Sequence, residues 1–242
     1  MTNAACDKQA LRQSLKLYLC TDRALLGADN SLQGNKILFE AVEAAVSGGV
    51  TIVQLREKTL CSRDFFLLAK ELLGLCTKLD VPLIINDRLD IALALGAAGV
   101  HLGQDDIPLA AARTICGKNF IIGVSCHNLE QAIKAEQEGA DYIGAGAVFA
   151  TGTKADTSVI GTQELSNIAA CVKIPVIGIG GINKTNIAQV KASGAIGAAV
   201  ISAILSQRDA DNGFFDNIKN AAMELSSILD RPASDRNVPG KD

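Results

Sequence analysis

Eight short aliphatic runs recur along the chain, and between them the apolar residues fall at three- and four-residue spacing. The runs are Lys16–Cys20, Thr51–Leu55, Leu83–Ile85, Gly99–Leu102, Phe120–Val124, Asp141–Ala145, Val176–Ile179 and Ala198–Ile201. Each is too short for a helix and too uniformly apolar for a strand with one wet face, so it reads as a strand buried on both sides. The intervening periodicity predicts helices over Ile37–Ser47, Arg63–Lys78, Leu89–Leu95, Leu109–Ile115, Leu129–Glu138, Thr162–Ala170, Thr185–Ala192 and Phe214–Leu229. Gly48, Gly96, Gly139 and Gly194 stand where helix ends favour a left-handed residue. Eight strands alternating with helices over about 250 residues, with no long central excursion, predict an α/β fold, a single (β/α)8 barrel. The barrel domain is expected over 15–230, after an N-terminal extension (1–14) and before a polar, disordered tail (231–242).

Composition narrows the partners more than the fold. Aromatics make up 4% of the 242 residues and tryptophan is absent, so the core has to be built from Val, Ile, Leu and Ala. A net charge of −3 with no Lys/Arg block argues against a nucleic-acid or membrane-surface binder, and no apolar span reaches the roughly 20 residues of a membrane helix. The seven scattered cysteines include no C-x-x-C pair, and with two histidines in the chain they do not suggest a zinc site. Reduced thiols and the lack of a leader-like N-terminus point to the cytoplasm.

In a (β/α)8 barrel the chemistry sits where the strands end. Asn86-Asp87 follows the third run and Gln104-Asp105-Asp106 the fourth. Two carboxylates on adjacent strand ends can share a hard cation that keeps positions for water and phosphate oxygens, as magnesium does. Spacing alone equally allows both acids to cap the next helices, with Asp105 as well placed as Asp106. After the second run, alternation puts Arg56 and Lys58 on one side and Glu57 on the other, which suits a polyanion or a solvated surface turn. Thr151-Gly152-Thr153-Lys154 has the composition of a phosphate-gripping loop without Walker spacing, or of a flexible connection. Gly180-Gly181 and Ile201-Ser202 occupy the loops where barrels cradle phosphate, although small residues there also serve tight packing. His101 and His127 have no assigned proton-transfer role.

The ordered set YLCTDR (18–23), VQLREK (53–58), INDR (85–88), GVHLGQDD (99–106), GVSCH (123–127), ADYIGAGAVFATGTK (140–154), PVIGIGGI (175–182) and 197–204 resembles the thiamine-phosphate synthase family over about residues 16–205. The resemblance implies condensation of 4-amino-2-methyl-5-(diphosphooxymethyl)pyrimidine with 4-methyl-5-(2-phosphooxyethyl)thiazole, or its carboxylated form. Thiamine phosphate forms and diphosphate leaves. It implies a pyrimidine diphosphate site of Gln54, Leu55, Arg56, Glu57, Lys58, Asn86, Ser125 and Lys154, with Arg56, Lys58 and Lys154 catalytic. It further implies a thiazole phosphate site of Thr151, Gly152, Thr153, Gly181, Ile201 and Ser202, and magnesium on Asp87 and Asp106. Small molecules are then the partners, a homo-oligomer being left open. The chain departs from the family at Ala147 and Ala150, where proline is frequent and the loop correspondingly stiffer. A thiazole tautomerase-like or non-catalytic thiazole-phosphate-binding barrel is the alternative; neither needs Asp87, Asp106, Arg56, Lys58 and Lys154 together.

Overall fold

The computed structural model describes residues 8–152, 158–207 and 213–231. Eight parallel strands close into a barrel in unbroken chain order: β1 (Leu17–Cys20), β2 (Ile52–Leu55), β3 (Leu83–Asn86), β4 (Gly99–Leu102), β5 (Ile121–Cys126), β6 (Tyr142–Gly146), β7 (Val176–Ile179) and β8 (Gly197–Val200). Every expected strand is present within two residues of its expected bounds. The seam is the β1–β8 pair, which aligns Leu17 with Ala198 and Leu19 with Val200.

The described helices are α1 (Lys8–Ser14), α2 (Arg23–Leu26), α3 (Leu32–Ser47), α4 (Ser62–Lys78), α5 (Leu89–Leu95), α6 (Leu109–Cys116), α7 (Leu129–Gln137), α8 (Gly161–Cys171), α9 (Ile187–Ala192), α10 (Ser202–Leu205) and α11 (Phe214–Asp230). Three of them, α1, α2 and the four-residue α10, were not expected from the periodicity. Helix α3 starts five residues before the expected Ile37, because Ser31 caps it by accepting from the Gly34 N–H at 3.1 Å. Its left-handed residue is Gly49 (φ 106°), while the expected Gly48 stays right-handed at φ −88°. Gly96, Gly139 and Gly194 do take positive φ.

Two hydrophobic layers follow from strand alternation. Outward residues such as Leu19, Val53, Leu55, Ile85 and Val100 pack under the helices in the larger core. Inward residues Tyr18, Ile52, Ile84, Tyr142, Ile177 and Ala199 form a second cluster with Leu11 of α1 and Leu15. One residue of the expected extension, Leu11, thus packs with the barrel's own interior. At the other end of the domain, Lys16 meets Asp230 at 2.7 Å and ties α11 back to the start of β1. The expected tail lies outside the described residues, apart from Arg231. No described helix is long and apolar enough to cross a membrane.

Candidate active site

The strand ends deliver their polar residues to one mouth, over a cavity lined by Ser125, His127, Thr151, Gly180, Gly181 and Ser202 among others. Across the barrel from the loops after β7 and β8, β3 and β4 bring Asp87 and Asp106 together. Lys58, after β2, reaches Asp87 at 2.5 Å. Burial pushes the Asp106 carboxyl above its usual range; Asp87 beside it acts the same way, while the Gly103 N–H and Lys58 act against them. Neither acid caps a helix: the N-cap positions of α5 and α6 are Arg88 and Pro108, and neither helix start has a side-chain cap. Asp106 instead accepts from the Gly103 N–H at 2.6 Å, and Asp105 is exposed. Asp87 takes the left-handed conformation at φ 61°, uncommon for a residue with a Cβ.

Two carboxylates facing each other at a partly buried notch favour a cation between them, and all-oxygen donors suit a hard one. Among the described residues, no cluster of three or more His, Cys, Asp and Glu side chains is present. A pair that leaves most of a coordination shell to water and phosphate oxygens fits magnesium better than an all-protein cage would.

Arg56 is held by its main chain, whose N–H donates to the buried Thr21 hydroxyl at 3.0 Å, and its guanidinium lies 3.8 Å from Asp22. Its Nε is buried without a hydrogen-bond partner, as is the amide nitrogen of Asn86. An orphaned amide on a residue only 8% exposed at the end of β3 is a donor awaiting an acceptor. Glu57 turns the other way, as alternation requires, to lie 3.7 Å from buried Arg23. Burial raises its carboxyl despite that guanidinium. Leu55 is buried in the outer core, so neither side chain faces the mouth.

The loops after β6 and β7 are shaped by their main chain. Gly180 and Gly181 have φ of 95° and 62°, and a Cβ on Gly181 would stand 2.4 Å from the Ala150 carbonyl oxygen. The Val148 and Phe149 N–H groups donate to the carbonyls of Ile179 and Gly180 at 2.8 and 3.1 Å, locking the loop after β6 to the loop after β7. Asn186 donates to the Gly181 carbonyl at 2.9 Å. Ser202 opens α10 at the cavity rim, next to Ile201. Thr151 lines the same cavity and Gly152 is exposed beside it; Thr153 and Lys154 lie outside the described residues.

Sequence reading missed one polar constellation. Both tyrosines of the chain point into the barrel, with their hydroxyls 2.9 Å apart. Gln54, expected at the substrate, donates from Nε2 to Tyr18 at 2.8 Å. His101 joins Tyr142 through Nδ1 at 3.0 Å and Ser125 through Nε2 at 2.9 Å. The signal was present in outline: a tyrosine inside a doubly buried strand needs a partner for its hydroxyl. Burial pushes both phenols up, so they stay protonated across the neutral range. His127 donates from Nδ1 to the Gly146 carbonyl at 2.6 Å and borders the cavity.

A closed parallel barrel that gathers cations, acids and a main-chain cradle at the C-terminal ends of its strands defines a (β/α)8-barrel enzyme. Residues 17–204 match the family described as thiamine monophosphate synthase. Two relatives named thiamine-phosphate synthase are similar over nearly their whole length. That of Ruminiclostridium cellulolyticum is 50% identical over 88% of this chain and 94% of its own, and that of Syntrophomonas wolfei 51% over 89% and 96%. The solved thiamine phosphate pyrophosphorylase of Pyrococcus furiosus superposes with a TM-score of 0.78 at 41% identity, covering 90% of this chain and 97% of that one. The chain belongs to the thiamine monophosphate synthase family. Thiamine-phosphate synthase activity, a transferase reaction of thiamine biosynthesis, is the function that relatives this close assign to it.

Proposed function

We propose that the mouth joins 4-amino-2-methyl-5-(diphosphooxymethyl)pyrimidine to 4-methyl-5-(2-phosphooxyethyl)thiazole, or its carboxylated form, and releases diphosphate. The observation that carries this reading is the pairing of Asp87 and Asp106, with Lys58 on them, across the mouth from the Gly181–Ser202 cradle. One side suits a cation-bound diphosphate and the other a simple phosphate.

Gln54 and Asn86 hold the pyrimidine, the unpartnered amide of Asn86 supplying a donor for a ring nitrogen. Arg56, Lys58, Lys154 and the Ser125 hydroxyl bind the diphosphate, with Leu55 and Glu57 contributing main chain only. Gly181, Ile201 and Ser202 hold the thiazole phosphate through main-chain N–H groups, and Thr151, Gly152 and Thr153 are assigned to the thiazole substrate. The carbon–oxygen bond breaks with its electron pair going to diphosphate, and the aminopyrimidine stabilises the methylene cation. The thiazole nitrogen lone pair then forms the new carbon–nitrogen bond, so no general base is needed. Arg56, Lys58 and Lys154 stabilise the negative charge as it develops on the leaving group. Asp87 and Asp106 would hold magnesium, which when bound adds further positive charge beside the diphosphate.

Mixing the two substrates with magnesium chloride and following diphosphate release tests this reading. Stoichiometric, turnover-dependent release is expected. Tight thiazole phosphate binding without release would identify a non-catalytic barrel instead.

A further inference from the structure

The five side chains that cross the barrel interior connect two parts of the mouth that the chemistry keeps apart. Gln54 is placed for the pyrimidine and Ser125 for the diphosphate, and between them run Tyr18, Tyr142 and His101 with every link between 2.8 and 3.0 Å. The direction of the hydrogens follows from counting donors. Tyr18 accepts from Gln54 and has one hydrogen to give, which goes to Tyr142; Tyr142 in turn gives its hydrogen to Nδ1 of His101. A neutral imidazole that accepts at Nδ1 carries its hydrogen on Nε2, and Nε2 faces Ser125 Oγ. The serine accepts there, which leaves its own hydrogen for the cavity it lines.

Reversing the chain is costly. If Tyr142 donated to Tyr18, the Tyr18 oxygen would accept twice, and its own hydrogen would have no partner in a fully buried site. Protonating His101 would strand the Tyr142 hydrogen in the same way. The barrel also reserves space for this arrangement. A Cβ on Gly123 would stand 2.1 Å from the Tyr142 ring, and one on Gly144 would stand 3.1 Å from His101 Cε1. Glycine at these positions of β5 and β6 lets a phenol and an imidazole fill the interior.

We propose that Gln54, Tyr18, Tyr142 and His101 form a one-way hydrogen-bond chain that fixes the His101 tautomer and turns the Ser125 hydroxyl outward, as a donor to the diphosphate. The tyrosines and His101 are then positioning residues acting through Ser125. The inference rests on the reading of Ser125 as a diphosphate ligand. Its consequence is that filling the pyrimidine side and gripping the leaving group are mechanically linked through the barrel's interior.

Calorimetric titration of the full chain with inorganic diphosphate and magnesium chloride tests it in a double-mutant cycle. Ser125→Ala is expected to weaken diphosphate about tenfold, the scale of one hydrogen bond to a charged group. Tyr142→Phe keeps the ring and is expected to weaken it about three- to fivefold, leaving KM for the thiazole phosphate unchanged. Combined with Ser125→Ala, it should weaken binding no further, because the hydroxyl it acts through is gone. Tyr18→Phe breaks the chain one link away and should behave alike, which covers a Tyr142→Phe protein that does not fold. Losses that multiply in the double variant, or phenylalanine variants that bind like the parent, overturn the relay while leaving Ser125 as a ligand. Parent-like diphosphate binding by Ser125→Ala removes Ser125 from the anion site and overturns both.

Discussion

Replacing Gly181 by alanine separates the geometry of the cradle from the mere presence of its loops. The added Cβ would lie 2.4 Å from the Ala150 carbonyl oxygen and 2.8 Å from that of Phe149. Both obstacles are main chain, so neither can swing aside. Reaching an ordinary contact of at least 3.4 Å requires the loops after β6 and β7 to part by about 1 Å. Those loops are held together by the Val148 and Phe149 hydrogen bonds, so the displacement carries Thr151 with it. A misplacement of about 1 Å can cost about a hundredfold in rate, or about 2.7 kcal/mol of barrier. The left-handed backbone at φ 62° adds a stability cost of about 1–2 kcal/mol for alanine. Gly96→Ala is the control, because it shares the conformation at φ 64° with nothing within 4 Å of its Cβ. Steady-state kinetics with varied thiazole phosphate should show kcat/KM down about a hundredfold for Gly181→Ala and unchanged for Gly96→Ala. Both proteins should melt about 2–8 °C lower. A Gly181→Ala enzyme with parental kcat/KM would refute the assignment of this loop to the phosphate.

Asp87→Asn and Asp106→Asn should each lower turnover by about a hundredfold or more with melting temperature nearly unchanged, since the amide keeps the shape and loses the charge that attracts magnesium. The exposed Asp105→Asn should stay near the parent, and two near-normal variants at limiting magnesium would remove the metal site. Lys154→Ala should lower kcat at least about tenfold with smaller changes in either KM, because a charge on the departing diphosphate matters most in the transition state. A kcat within about twofold of the parent would place that lysine outside the reaction. Burial pushes the Cys76 and Cys126 thiols up to about 12, so above pH 9 the unfolded chain loses protons that the folded one keeps. With fewer protons bound in the unfolded state, stability falls as pH rises from about 9 to about 12. Urea midpoints across that window should decline, and they should decline less in Cys76→Ala/Cys126→Ala measured against its own value at pH 8. The exposed Cys61 and Cys171 should react with a thiol reagent at pH 8 while Cys76 and Cys126 do not.

The barrel was legible because strands buried on both faces have to be aliphatic, and the chain interrupts each such run with a polar residue or a glycine where it emerges. Asp87 and Asp106 were legible as a pair for the same reason, since adjacent strands of a parallel barrel place their ends side by side. Helix α1 was not, because KQALRQS is mostly polar, and its buried Leu11 finds its place only once a barrel exists. Helix α2 was hidden by its length of four residues. Asp22 caps it by accepting from the Ala24 and Leu25 N–H groups at 3.0 and 3.3 Å. The Tyr18–Tyr142 contact spans 124 positions and joins strands that are not neighbours in the sheet. Local pattern cannot report a contact that depends on closure.

Strand order in this barrel never departs from chain order, so each strand can pair with the one made just before it. The exception is the seam between β1 and β8. During synthesis the growing sheet therefore extends at one edge while β1 keeps a bare edge of N–H and C=O groups at the other. That edge is covered only after Gly197–Val200 has been made, by which point nearly all of the mouth has already been encoded. Ribosomal pausing or truncation before residue 197 would leave an open, curved sheet with two sticky borders, prone to pair with a neighbouring copy. The window of greatest aggregation risk thus falls late in translation, and it closes when the eighth strand docks beside the first.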